Sequence, residues 1–496
     1  MNRSTLSLGG AVVVLAVLVG AASLNGSDDS VAAPKGSSTR LPVQRTTTVC
    51  PSPSPSEFAD TTYASFTPSA SPLPGQAAGS SAGAAGSAQL LTTAAKPAPL
   101  SPPLKQAGRT VTYTTDKADA PALVGTADGP LAPGWSVGET TVVDAGPGRA
   151  LLGTSCVTPD SEFWFAGAST SDGRQDYLHL VDPDDAPAVV DIELYGPDGL
   201  VKTSGGDGVT VPGKGAEPVL LSTLTAQKVQ DLTVHVVVRS GRVGAAVQAT
   251  SAGKGADWLQ PAAEPATTLV MPGIPADAVS VRLVAYATGS DDADLTLKLA
   301  TATGVITPAD HETLHVKAGM TATADLGDVT KGDTGSLLIT SSKVHAPVPV
   351  VAGLLVTRGK GDKQELAFLP ATSPVGTRAT AADNRDKAAT VALTALDKDT
   401  QVKITSSPGT AGGTPVTRTV VVKAGTTMAV QPVAPVAGKG SFSVTVEKLS
   451  GGTLYASREL ALPLDGVPMF TIQPMPDDRS TVQVPQAAPD LKILGK

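Results

Sequence analysis

The chain has 496 residues, too many for a single core, and at ~100–150 residues per domain its length predicts roughly three to five units. Apolar residues make up 41%, yet aromatics reach only 3% and charged residues 17%, alongside 51 glycines and 41 prolines. That mixture suits short strands joined by turns, because Val and Thr fit a pleated surface while Gly and Pro punctuate it. A net charge of −8 with no basic stripe and few aromatic platforms argues against nucleic acid as a partner.

The N-terminus carries Arg3 and then an apolar run from Leu6 to Leu24, uncharged throughout Ala11–Ala22. One reading is a cleaved secretory signal, cut near Gly20, Ala21 and Ala22. The other is an uncleaved anchor of about 19 residues. No cysteine follows the run, which excludes a lipoprotein. Residues 1–24 therefore predict export, with membrane contact only through this segment and the remainder extracytoplasmic, either secreted or anchored. Residues 25–105 are rich in Pro, Ser, Ala and Gly and read as a linker, partly ordered near Cys50.

The only two cysteines are Cys50 and Cys156. Such a pair in an oxidising compartment predicts one disulfide, worth about 4–5 kcal/mol by loop-closure entropy; two free thiols are the alternative. Residues 106–160 form an N-terminal β segment that, with 46–105, reads as a degenerate first copy of a repeated unit. Three clearer copies recur at about 100 residues, at 161–253, 254–359 and 360–464, with a C-terminal strand and tail at 465–496. Each has an aromatic opening (Phe163–Ala166, Trp258–Ala262, Phe368–Ala371) and then an acidic turn leading into a strand. A Val strand ending in a basic Gly turn comes next (GVTVPGKG, TLHVKAGM, TVVVKAGT), and an alternating strand pair closes the copy. In LTVHVVVRSG, Val234, Val236 and Val238 face one way, His235, Val237 and Arg239 the other. Alternation of this kind with frequent turns predicts an all-β fold of tandem antiparallel, immunoglobulin-like sandwiches behind the signal or anchor helix and linker. A propeller would repeat at ~40–50 residues.

The apolar N-terminal run followed by RTTTVCPSP (Arg45–Pro53), together with YLHLVDPDDAPAVVDIELYGPDG (Tyr177–Gly199) and its repeats, resembles actinobacterial exported proteins that carry a domain of unknown function. The resemblance implies an envelope location and no activity.

Candidate chemistry is sparse. His311-Glu312-Thr313-Leu314-His315 satisfies H-E-x-x-H, which needs a helix to bring both imidazoles to one zinc. Its place in the repeat predicts a strand, where four residues span roughly 13 Å. The acidic turns (Asp182, Asp184, Asp185; Asp291, Asp292, Asp294; Asp383, Asp386) could supply calcium ligands but read as solvated turns. The five histidines (His179, His235, His311, His315, His345) adjoin no nucleophile elbow. Trp164 and Trp258 are candidates either for stacking on a sugar or for plugging a junction between repeats. No cofactor, metal or catalytic residue is expected. The predicted role is a non-catalytic structural or interaction protein of a bacterial envelope, with an unknown envelope protein or wall polymer as partner. A wall-glycan-binding module is the alternative, and an unrecognised hydrolase is the third reading.

Overall fold

A computed structural model describes residues 38–69, 86–94, 96–146, 148–343 and 345–485. The apolar run Leu6–Leu24 lies outside the described residues. Among those described, no helix is long and apolar enough to cross a membrane. The fold is all-β and antiparallel throughout its ladders, and none of the sheets closes on itself.

The chain divides into two units. The smaller contains a two-stranded ribbon in which Ser38–Pro42 pairs antiparallel with Thr481–Pro485, Ser38 opposite Pro485 and Pro42 opposite Thr481. The larger, Val43–Ser480, holds eight sheets among the described residues, and these stack in pairs over shared cores. Each such pair forms one module.

In the second module one sheet runs in the order Ala216–Leu220, Arg174–Val181, Gly244–Ser251, Gly255–Leu259. Facing it are Glu162–Ala168, Leu232–Ser240 and Ala188–Gly196, with Val209–Val211 and Gly199–Leu200 on the outer edge. Period-2 alternation makes this geometry: along Ala188–Gly196 every second side chain is buried. Val190, Ile192 and Leu194 meet Leu178, Leu180 and Val247 of the opposite sheet. Similar strand orders recur in the other modules. The third has Thr321–Asp325, Ser280–Ala287, Val350–Lys360, Lys363–Pro370, and the fourth Thr426–Val430, Ala389–Ala395, Leu454–Ala461, Phe470–Pro474. The first has Val111–Thr115, Ala59–Phe66, Ser136–Val143, Ala150–Ser155.

Part of the stretch expected to be linker is thus structured, since Arg45–Cys50, Ala59–Phe66 and Ala88–Thr92 are strands of the first module. The prolines Pro51, Pro53, Pro55 and Pro68 fall between these strands, while Tyr63, Phe66 and Leu90 are buried within them. Proline-rich composition averaged over the window hid a few apolar residues at strand spacing.

Each module ends on a closing strand: Ala150–Ser155, Gly255–Leu259, Lys363–Pro370 and Phe470–Pro474. Every closing strand packs on the two belonging to the neighbouring modules, the fourth returning to the first, so the four modules form a closed ring. Opening strands reinforce it. Glu162–Ala168 lies against the third module, Thr268–Ile274 against the fourth and Arg378–Asn384 against the first, while Arg45–Cys50 touches Gly244–Ser251 of the second. Polar seams add Arg282 to Asp231 at 2.7 Å, Arg358 to Glu459 at 2.8 Å and Thr110 Oγ1 to Ser443 Oγ at 2.8 Å. The aromatic segments aligned in the sequence are consequently not equivalent. Trp164 stands on an opening strand, whereas Trp258 and Phe368 stand on strands that close the preceding module.

Candidate functional site

The closing strands bring ionisable side chains to the centre of the ring. Gly255–Leu259 is buried along its whole length, and Asp257 is fully buried within it. Its carboxylate accepts the Gly153 backbone N–H at 3.0 Å and the Thr471 hydroxyl at 3.0 and 3.1 Å. Three modules therefore meet on one carboxyl group. Burial pushes the Asp257 pKa well up against the pull of these donors.

Glu365, on the closing strand of the third module, is also fully buried. Its Oε1 accepts the Leu366 N–H at 3.2 Å and its Oε2 has no partner. Burial, with Asp257 adding repulsion, raises its pKa to about 9. Gly255 makes room for it: a Cβ there would sit 1.8 Å from Glu365 Oε1, and its φ of +100° is one that other residues rarely adopt. Nearby, Arg458 is fully buried, donates to Gln473 and to the Ala382 carbonyl, and is pushed down by burial to about 10. Asp383 is buried too, yet Arg385 at 3.0 Å outweighs that burial and holds it below the usual carboxylate range.

Trp258 is completely enclosed by Ala59, Val143, Ala150 and Leu152 of the first module and Ala246 and Ala256 of its own. His179 meets it edge-on at 5.1 Å, and burial lowers that imidazole to about 4. A ring so enclosed offers no face to a sugar; it fills the joint between two modules.

Trp164 occupies a different setting, the border of the second and third modules. Its ring stacks on His235 at 3.6 Å and on Tyr286 at 5.5 Å, and its indole N–H donates to Glu162 at 3.0 Å. His235 spans Glu193 and Glu162, 2.8 Å from each. Tyr195 donates to Glu193 at 2.9 Å and approaches Tyr286 at 4.6 Å between ring centres. Trp164 itself is only 7% exposed, but the side chains of Glu162 and Glu193 are 46% and 39% exposed. Their carboxylates form the accessible rim of an aromatic cluster.

The remaining candidates separate. Cys50 and Cys156 form a disulfide. His315 lies on the strand Thr313–Val316 and bonds Asp294 at 2.7 Å, while His311 precedes that strand in a turn. The acidic turns serve the fold: Asp182 accepts the Asp184 N–H, Asp184 pairs with Arg242, and Asp292 accepts the Ala318 N–H. His345 is exposed. An open groove of about 400 Å³ between the third and fourth modules presents Asp333, Lys423 and Thr427.

The profile of the Family of unknown function (DUF5719) matches residues 111–433. The chain belongs to that family. The DUF5719 match starts at the strand Val111–Thr115 and runs into the fourth module, so Asp257, Glu365, Trp164 and Trp258 all fall inside it. No curated protein matches the chain.

Asp257 and Glu365 were invisible to sequence reasoning. The signal was an acid set within an otherwise apolar strand segment (GADWL and ELAFLP), but a strand with one wet face reads the same way.

Proposed function

We propose that this DUF5719 protein is a non-catalytic interaction scaffold of an actinobacterial cell envelope, exported through its N-terminal segment, whose modules are immunoglobulin-like sandwiches. The observation that carries the scaffold reading is the meeting of three closing strands on Asp257, which ties the modules into one body rather than a string. Such a body presents its outer edges and loops in fixed relative positions, as a docking platform requires. The disulfide supports an oxidising compartment, where such bonds persist. The partner is an envelope protein or a wall polymer.

Fractionation of a native host tests the location, with mass spectrometry of the mature N-terminus and in-cell crosslinking through surface lysines. Recovery in membrane, wall or medium with a discrete crosslinked partner fits the proposal. A cytoplasmic, reduced protein would refute it.

A second reading, recognition of wall glycan, is favoured by the exposed Glu162 and Glu193 carboxylates beside Tyr195, which can accept sugar hydroxyls against an apolar wall. Retention on purified wall material that is lost in Glu162→Gln and Glu193→Gln would select it.

A further inference from the structure

In the first module a carboxyl group faces the disulfide. Glu139 lies on the strand Ser136–Val143, opposite Tyr63 on one neighbour and Thr154 on the other. A carboxylate oxygen of Glu139 and the sulfurs of Cys50 and Cys156 all lie within 4.8 Å of one another. Glu139 is fully buried, and neither of its oxygens has a hydrogen-bond partner. The Tyr63 hydroxyl is likewise buried and unpartnered. An unsatisfied carboxyl group costs about 1–3 kcal/mol or more and calls for an explanation. In the oxidised chain the sulfurs hold no thiolate to bind a metal ion, so a metal does not supply one.

The disulfide itself is asymmetric. Cys50 is fully buried, whereas Cys156 is partly exposed just beyond a closing strand. Of the two cysteines only Cys156 reaches the surface, so attack from solvent comes from its side and Cys50 is the leaving group, which must depart as a thiolate inside an apolar core. Such a departure is costly unless a proton is delivered at once.

We infer that Cys50–Cys156 is a thiol–disulfide exchange site for a dithiol reductant, with Glu139 as its internal proton donor. A thiolate of the reductant attacks Cys156 Sγ, the Cys50–Cys156 bond breaks, and its electron pair leaves on Cys50 Sγ. The Glu139 carboxyl passes its proton to that sulfur. The second thiol of the reductant, deprotonated by solvent, then displaces Cys156 Sγ and closes the reductant's own disulfide. Cys156 and Glu139 regain protons from solvent. Two electrons and two protons have moved from dithiol to protein. Burial, which raises the Glu139 pKa well above its ordinary value and so favours the protonated carboxyl, suits it to the task.

The site borders the ring. Val49 and Val157, beside the two cysteines, exchange backbone hydrogen bonds of 2.9 Å in each direction. Val49 and Val157 also abut Gly244 of the second module, where a Cβ would lie 1.9 Å from Val49 Cγ2 and 2.9 Å from Val157 Cγ2. The disulfide thus sits one residue from the pair of valines that packs on the seam between the first two modules. The exchange chemistry needs only the first module, so its failure would leave the scaffold reading standing.

The test is reduction of the folded full chain by dithiothreitol without denaturant, followed by acid quench, alkylation and mass mapping. Wild type should be reduced faster than it globally unfolds, with the mixed disulfide trapped on Cys156. Glu139→Gln, of similar shape but without a transferable acid proton, should slow reduction about a hundredfold. A merely structural role for Glu139 predicts the opposite sign, because a loosened core exposes the disulfide. Reduction of wild type no faster than unfolding overturns the inference, whether or not the variant folds. So does a variant reduced as fast as wild type, or a mixed disulfide trapped on Cys50.

Discussion

Replacing Glu365 by Gln should flatten the pH dependence of the protein's stability. The carboxyl titrates near 4.5 when unfolded and at about 9 in the ring, where burial dominates. Below the lower value both states hold the proton, and the group imposes no pH-linked cost. As pH rises the unfolded chain gains by ionising while the folded chain does not, so stability declines by about 1.4 kcal/mol per pH unit. At pH 7 the accumulated cost is about 3 kcal/mol, and above the folded value it levels off at about 6 kcal/mol. Glutamine keeps the Oε1 acceptor for the Leu366 N–H and adds an amide N–H beside the unpartnered position, a pH-independent penalty of about 1–3 kcal/mol. The variant should therefore be equal to or less stable than wild type at pH 5 and more stable by several kcal/mol at pH 9. Urea unfolding monitored by tryptophan fluorescence at pH 5, 7 and 9 reads the difference. Glu139 titrates in both proteins and cancels on subtraction, so the difference reports Glu365 together with its coupling to Asp257. Parallel stability curves for the two proteins would refute the argument.

Gly255→Ala places a methyl group 1.8 Å from Glu365 Oε1 at a φ of +100° and should lower stability by roughly 3 kcal/mol or more, read by the same unfolding curves. Trp258→Ala empties the joint between the first two modules and should cost about 3–5 kcal/mol, with a thermal transition that broadens or splits in calorimetry. Cys50→Ser with Cys156→Ser removes a cross-link between residues 106 apart and should cost about 4–5 kcal/mol in urea unfolding at pH 6.

Much of the sheet structure was legible in the sequence because period 2 survives wherever one face is buried. The Val strands ending in basic Gly turns appear as Val209–Val211, Thr313–Val316 and Val416–Val422, each paired beside an inner strand of its module. The alternation of Val234 and Val236 with His235 holds in their burial. Closure of the ring was not legible. It depends on the fourth module meeting the first across some 300 residues, through Gly153 and Thr471, neither of which carries a distinctive pattern. The site was harder still. Asp257, Glu365 and Glu139 are single acids on strands, and only the packing of further strands over them distinguishes a buried carboxyl from a solvated one. Trp164 and Trp258 stand out as large side chains in a chain poor in aromatics, but aligning the repeats gives them one role where the topology gives them two places.

The ribbon of Ser38–Pro42 with Thr481–Pro485 has a mechanical consequence. Because Ser38 lies opposite Pro485, the first residue of one strand and the last residue of the other share one end of the ribbon. Tension applied between these two residues would load its hydrogen bonds one rung at a time, peeling them like a zipper instead of shearing them together. Pulled apart at that end, the ribbon would yield at low force.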